Sequence, residues 1–518
     1  MPKNYLSYTF YFLLLVVGML LFLNFIPEDS LKAHQLKKMD ILSDIRTEQT
    51  QTIEFDDVDM EDDNPNVADV ADIGDIINVD DTDNIDVVDN AGNLGNLDNT
   101  DASIEEMPLL PPSVLSEWPE NMTKLEDFST GQNGMDAFFR AIENKSSVRV
   151  AFFGDSFIEG DIFCGDFREL LQQKYGGKGV GMVPMSSAVS GFRRSVSHQH
   201  HGWKDYSLTD TSRIPLRGIS GHAFTPKEDD NWASFALPKK KKDSDSCTIA
   251  SLFYTLQPGY ESVVRYNVNQ YGAHTARLKA TGLVERFDIQ NDKIGSVRFS
   301  FPDTAGLVTY GVSLEDSIGI IVDNFSIRGT AGTSFGKISS SILKRFDHLA
   351  GYDLIILEYG LNAMESERTS FKWYGDAMVK TIQYMQKCFP NASILLLSVS
   401  DRSMKKDGEY VSMPAVVPFV SSQRRASSDA GIVFWNLFRA MGGEGSMVDW
   451  ANSEPPKANK DYTHLTFTGG RWLAKKLFET FEFENKRYNE KREYFKKNPP
   501  KDTILSAPVD SIPISGFE

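Results

Sequence analysis

The chain has little cysteine and no surplus of basic residues. Its 518 residues include three Cys, and 54 Lys+Arg stand against 72 Asp+Glu, for a formal net charge of −18. Three thiols cannot all pair, so at least one of Cys164, Cys247 and Cys388 stays free and no disulfide framework is expected. The lack of a basic stripe argues against a nucleic-acid partner. No internal repeat is visible, which excludes a solenoid. Basic residues are missing altogether from Glu54 to Glu106, a stretch that holds 19 Asp or Glu. Without it the rest of the chain sits at about +1, so the acidity belongs to one segment and an anionic polymer remains an allowed partner.

Charge of either sign is also missing between Lys3 and Glu28. Tyr8 to Ile26 is a 19-residue, mostly apolar run, close to the ~20 residues a helix needs to cross a bilayer. No small-x-small cleavage site follows in Leu23-Asn24-Phe25-Ile26-Pro27, so the segment reads as an uncleaved anchor rather than a signal peptide. With Lys3 on the short side, residues 1–7 stay cytoplasmic and the rest is exported to the periplasmic or extracytoplasmic side of a single-pass membrane protein. Residues 27–118 are rich in Asp and Asn and short of aromatics, the composition of a disordered acidic linker. As a flexible coil this tether spans roughly 50–60 Å. Asp80-Asp81-Thr82-Asp83 lacks the Gly and the terminal Glu of a calcium loop, so no metal is expected there.

Beyond Pro119 the pattern changes. Met135, Phe138, Phe139 and Ile142 line one helical face, and Val148 to Phe153 is a strand of β-branched and aromatic residues that runs into Gly154-Asp155-Ser156. A helix over Phe163 to Tyr175 follows, which places a serine in a strand-to-helix turn. From 222 to 323, alternating runs such as Thr248–Tyr254, Val263–Val268, Ser296–Phe301 and Ile318–Val322 lie between turn residues and suggest an antiparallel β-sandwich. Strands at Asp353–Glu358, Ser393–Val399 and Gly431–Trp435 then alternate with helices at Phe371–Lys387, Pro418–Ala430 and Leu465–Phe481. The expected organisation is a parallel α/β domain in two parts, 119–221 and 324–483, interrupted by the sandwich and followed by a C-terminal extension and tail, 484–518.

Three blocks of this domain carry chemistry. Ser156 follows the first strand. Glu358-Tyr359-Gly360-Leu361-Asn362 sets an amide at the carboxyl end of the sheet, where open α/β folds bind ligands. Asp461-Tyr462-Thr463-His464 places a carboxylate three residues before an imidazole. Together these blocks resemble the SGNH, or GDSL-type, hydrolase family. The resemblance implies a three-layer α/β/α fold with a five-stranded parallel sheet, Ser156 as nucleophile, and His464 with Asp461 as its base and orienting acid. It implies an oxyanion hole from the Ser156 amide, a Gly amide and the Asn362 side chain. Gly329 is the choice for that Gly by order along the chain, with Gly191 and Gly221 as rivals. Ala363 departs from the pattern, since many members carry an acidic residue after the Asn. The β insertion is similar in architecture to that of the peptidoglycan O-acetylesterases of this family, with their carbohydrate-binding-like sandwich.

The function these features imply is a serine esterase acting on O-acetylated polysaccharide or peptidoglycan, without metal or cofactor. An O-acetyltransferase using the same acyl-enzyme, and a non-catalytic glycan-binding envelope protein, remain open alternatives. His198, His200 and His201 have no carboxylate or Cys at metal-site spacing and read as part of a loop. Asp155 reads as a support for its own turn, and Trp203 as core.

Overall fold

The computed structural model describes residues 114–210, 217–238, 246–280 and 282–498. The anchor at 8–26, most of the linker and the Lys239–Lys242 run lie outside the described residues. Among the described residues no helix is long and apolar enough to cross a membrane.

The central sheet has six strands in the order Leu125–Asp127, Val433–Trp435, Ser393–Leu397, Tyr352–Glu358, Ser147–Gly154, Gly319–Ser326. The last five are mutually parallel, as expected, and Leu125–Asp127 adds an antiparallel edge. Its middle strands, Ser147–Gly154, Tyr352–Glu358 and Ser393–Leu397, are buried almost throughout. This is the continuous apolar run that a parallel sheet covered on both faces requires. Helices at Asp136–Asn144, Cys164–Tyr175, Ser340–Ala350, Lys372–Cys388, Val416–Ala430 and Phe467–Lys497 connect and cover these strands.

The β block is larger at its start and shorter at its end than the 222–323 expected from sequence. Gly179–Val183, Ser197–His201 and Trp203–Ser207 are already strands of the inserted sheets. Their signal was masked because one is glycine-rich and another is Ser-His-Gln-His-His, neither of which reads as a strand by composition. At the other end, Ile318–Val322 belongs to Gly319–Ser326, which pairs in parallel with Ser147–Gly154 over eight residues. Alternation along one strand cannot say which sheet receives it.

The insertion is a pair of antiparallel sheets. One has five strands, Tyr271–Leu278, Ser262–Val268, Ser296–Asp303, Trp232–Ala236 and Ser197–His201. The other joins Glu285–Ile294, Cys247–Leu256, Leu307–Glu315, His222–Pro226 and Trp203–Ser207, with Gly179–Val183 paired to Leu307–Glu315. Successive residues of a strand face opposite ways, and the second sheet uses both faces. Leu252 and Val312 pack into the sandwich core, while Phe253 and Tyr310 join the α/β core and meet the Phe346 ring at 5.6 and 5.4 Å. A buried ion cluster ties the two parts further. Arg149 donates from Nε to Asp323 (2.7 Å), from Nη1 to Glu315 (2.8 Å) and from Nη2 to Ser313 (2.9 Å).

Order at the N-terminal side begins before Pro119. The Ser116 N–H and hydroxyl both donate to Glu490, at 2.8 and 2.6 Å, and the Trp118 ring lies 4.7 Å from that of Phe483. The partners come from the far end of the chain, where no sequence window reaches. The closing helix runs unbroken from Phe467 to Lys497. Lys491, in the C-terminal extension, is buried and paired with Asp136 at 2.9 Å.

Candidate active site

Ser156 sits just past the carboxyl end of the strand Ser147–Gly154. The expected helix begins at Cys164, with a 3-10 turn at Glu159–Asp161 between them, so Ser156 lies in the turn and is not the helix N-cap. Asp155 supports that turn: its Oδ1 accepts the Phe157 N–H at 2.9 Å. No side chain fits at Gly154, where a Cβ would lie 2.8 Å from Ile158 and 3.0 Å from the Glu358 carbonyl.

The loop before the closing helix brings the imidazole to this turn. Ser156 Oγ lies 3.1 Å from His464 Nε2, and His464 Nδ1 lies 2.8 Å from Asp461 Oδ2. Asp461 also receives the backbone N–H groups of Thr463 and His464, each at 3.0 Å. Burial alone would raise its carboxyl, but the hydrogen bonds from the His464 ring and from these amides prevail and take it down to about 2. It is an anion throughout the neutral range, and a carboxylate at Nδ1 leaves Nε2 as the free lone pair facing the serine. The pair is open to solvent, with His464 40% and Asp461 47% exposed. Tyr462, between them, has φ 54°, and its ring stacks on Tyr410 at 3.8 Å.

Asn362 comes to the same place from a 3-10 turn after Tyr352–Glu358. Its Nδ2 donates to Asp155 Oδ2 at 2.8 Å and to the Thr330 carbonyl at 3.0 Å. Both amide hydrogens are thus engaged, and donation to a third acceptor requires release of one of them. Gly329 lies in the loop after Gly319–Ser326, where Ile327 N–H bonds to the Gly154 carbonyl at 2.9 Å. It has φ 79° and open space where a Cβ would stand. The rivals are placed differently. Gly221 is wedged against Ile327 and Leu208, and Gly191 lies in the loop between Gly179–Val183 and Ser197–His201.

Two groups beneath the site were not singled out from the sequence. Glu358 is fully buried and neither of its carboxyl oxygens has a hydrogen-bond partner. Burial, and then the charge of Asp155, drive its carboxyl well above the ordinary value. Asp155 is itself raised to about 6 by burial, against the Phe157 N–H, the His464 charge and the Asn362 amide. Of this pair Glu358 keeps the proton, because Asp155 has donors that stabilise its anion and Glu358 has none. Arg402 donates to the Leu361 carbonyl at 3.0 Å and adds positive potential at Asp155. A charged residue ending an otherwise apolar strand was the available signal for Glu358; Arg402 gave none.

The histidine cluster is a strand, not a loop. His198 is buried, stacked on Phe235 at 4.8 Å, and pushed down to about 4 by burial and then by His200. His201 meets Glu228 at 3.0 Å and Asp230 at 3.4 Å, carboxylates that the fold supplies from a distant turn. Trp203 packs on Phe301 and donates to the Trp232 carbonyl, as core.

No family model matches the sequence, and no curated protein matches it. Among solved structures, a peptidoglycan O-acetylesterase is similar over 70% of this chain and 99% of its own, at 20% identity and a TM-score of 0.56. An acetyl xylan esterase is similar over 31% of this chain and 80% of its own, at 16% identity and a TM-score of 0.24. A family two carbohydrate esterase from Cellvibrio japonicus is similar over 56% of this chain and 99% of its own, at 11% identity and a TM-score of 0.25. Only the first likeness bears on the fold, and it extends over both the α/β domain and the inserted sheets. At 20% identity it is a likeness of fold.

Proposed function

We propose that this chain is a membrane-anchored envelope serine esterase that removes O-acetyl groups from cell-wall or extracellular polysaccharide. The observation that carries the reading is the relay of 3.1 Å from Ser156 to His464 and 2.8 Å from His464 to Asp461. Nucleophile, base and orienting acid stand within hydrogen-bond reach in the order acyl transfer needs. The fold shared with a peptidoglycan O-acetylesterase supports the substrate class.

In the first step Ser156 Oγ bonds to the ester carbonyl carbon while His464 Nε2 takes its proton, and Asp461 stabilises the imidazolium. The negative oxygen is met by the Ser156 and Gly329 amides and by Asn362 Nδ2, which exchanges its bond to Thr330 for the oxyanion. Each such donor lowers the barrier by about 3 kcal/mol in comparable sites. When the carbon–oxygen bond to the sugar breaks, His464 gives the proton to the departing sugar oxygen, which leaves as a hydroxyl. Water, deprotonated by His464, then attacks the acyl-serine and releases acetate. The exposure of His464 and Asp461 favours water as acceptor over a sugar hydroxyl.

Release of acetate from an aryl acetate and from O-acetylated peptidoglycan by the full-length chain tests this. Ser156→Ala should abolish both, and full activity in that variant would refute the assignment. Acetate transferred to an added glycan instead of released would replace hydrolysis by acetyl transfer.

A further inference from the structure

A short hairpin stands apart from the larger sheets. Ser403–Lys406 pairs antiparallel with Glu409–Ser412 as a two-stranded sheet of its own. Asp407 and Gly408 close it with φ 50° and 91°, the left-handed pair that a two-residue Asp-Gly turn adopts. Residues 405–411 are exposed, Tyr410 and Val411 among them. A lone two-stranded hairpin is marginally stable in water, so its contacts with the rest of the fold hold it in place and point to what it serves.

Those contacts reach both loops of the candidate active site. At the root of the hairpin, Arg402 donates to the carbonyl of Leu361, next to Asn362, at 3.0 Å, and the Ser403 N–H donates to the Tyr462 carbonyl at 3.0 Å. Towards the tip, the Tyr410 ring lies on the Tyr462 ring, with centroids 3.8 Å apart and planes 20° from parallel. Tyr462 stands between Asp461 and His464 with φ 54°, a conformation that a bulky residue keeps only where its surroundings enforce it. Within its own turn, the Tyr462 N–H bonds to the Asn459 carbonyl at 3.0 Å and the Asn459 N–H to the His464 carbonyl at 2.8 Å. The hairpin adds the bond from Ser403 and the Tyr410 ring. Asp461 and His464 are themselves exposed, so burial does little to fix them, and bracing from outside the turn matters correspondingly more.

We infer that this hairpin is a brace for the general base, with Tyr410 as a positioning residue: by stacking on Tyr462 it holds the turn that sets the His464 ring 3.1 Å from Ser156 Oγ. This rests on the esterase reading and adds to that site a residue outside the Ser, Asn and Asp–His blocks. Tyr410 acts through Tyr462, and its ring rather than its hydroxyl makes the contact.

The test uses the full-length chain and three variants. Tyr410→Thr removes the ring and keeps a strand-forming residue in the hairpin, Tyr410→Phe keeps the ring, and Tyr462→Ala removes its partner. Tyr410→Thr should lower kcat for p-nitrophenyl acetate about fivefold, the worth of one aromatic pair, with KM unchanged. It should slow labelling of Ser156 by a fluorophosphonate probe in the same ratio, while thermal stability holds because Tyr410 is 42% exposed. Tyr410→Phe should restore both rates. Adding Tyr410→Thr to Tyr462→Ala should change neither rate further, since the effect passes through that ring. Unchanged rates in Tyr410→Thr, a loss confined to KM, a fall in Tm that tracks the loss, additive losses in the double variant, or a Tyr410→Phe as impaired as Tyr410→Thr would each overturn the brace. Aryl acetate turnover that survives Ser156→Ala would instead overturn the esterase reading, which the Tyr410 ratios alone do not touch.

Discussion

Replacing Glu358 by glutamine should make the protein less sensitive to rising pH. The carboxyl is fully buried, lacks any hydrogen-bond partner and faces the Asp155 charge, so the folded state keeps its proton well above the ordinary value of 4.5. The unfolded chain releases that proton near 4.5. Above that pH the native state binds more protons than the unfolded one, so stability falls as pH rises, by about 1.4 kcal/mol per unit for one group. The loss accumulates over the pH range in which Glu358 keeps its proton in the folded state, and it is absent from Glu358→Gln. Glutamine also leaves buried polar atoms unpaired, but that cost does not vary with pH. The assay is urea denaturation of both proteins at pH 5, 6 and 7. The difference in unfolding free energy should move steadily in the variant's favour across the series. A difference that stays constant would show that Glu358 is ionised in the folded protein, and the argument from burial would fail.

Four further outcomes are expected. Asp461→Asn should keep the fold and lower kcat on an aryl acetate by about 10⁴-fold, since the imidazole loses the partner that sets its tautomer; activity within tenfold of wild type would reject the assignment. Arg149→Ala should cost about 3–5 kcal/mol in chemical denaturation, because it strands Asp323 at the seam between the α/β domain and the insertion. Gly470→Ala puts a Cβ 1.7 Å from the Ile162 carbonyl, so the closing helix must shift; a Tm loss with a parallel fall in kcat is expected, as overpacking costs about 3 kcal/mol. The three cysteines are free and buried, and burial first of all pushes Cys164 and Cys247 up to about 12 and Cys388 to about 11. A thiol reagent should label none in the native chain and all three in denaturant.

The sequence was most legible where local pattern and global placement coincide. Val148 to Phe153 and Asp353 to Glu358 are short, largely apolar runs, and both proved to be central parallel strands. The blocks around Ser156, Asn362 and His464 were found because turns at strand ends carry chemistry independently of the rest, and the fold brings all three to one edge of the sheet. What stayed hidden depends on distance along the chain. Ser197–His201 is a strand only because Trp232–Ala236 pairs with it, and Glu228 reaches His201 only through that pairing. Tyr310 was not singled out, and its place on a cavity wall follows from the sheet's second buried face.

The strand Gly319–Ser326 is separated from its partner Ser147–Gly154 by roughly 165 residues, which bears on the order of assembly. Joining them directly would close a long, entropically costly loop. A folded insertion removes most of that cost, because its two ends already meet: Ile320 N–H bonds to the Gly176 carbonyl at 2.9 Å. On this argument the edge strand is expected to dock after the insertion has folded, and the Gly329 turn that follows it after that. A packing defect deep in the sandwich, at Phe299 or Leu252, should thus appear as slow recovery of activity on refolding, far from any residue that touches the ester.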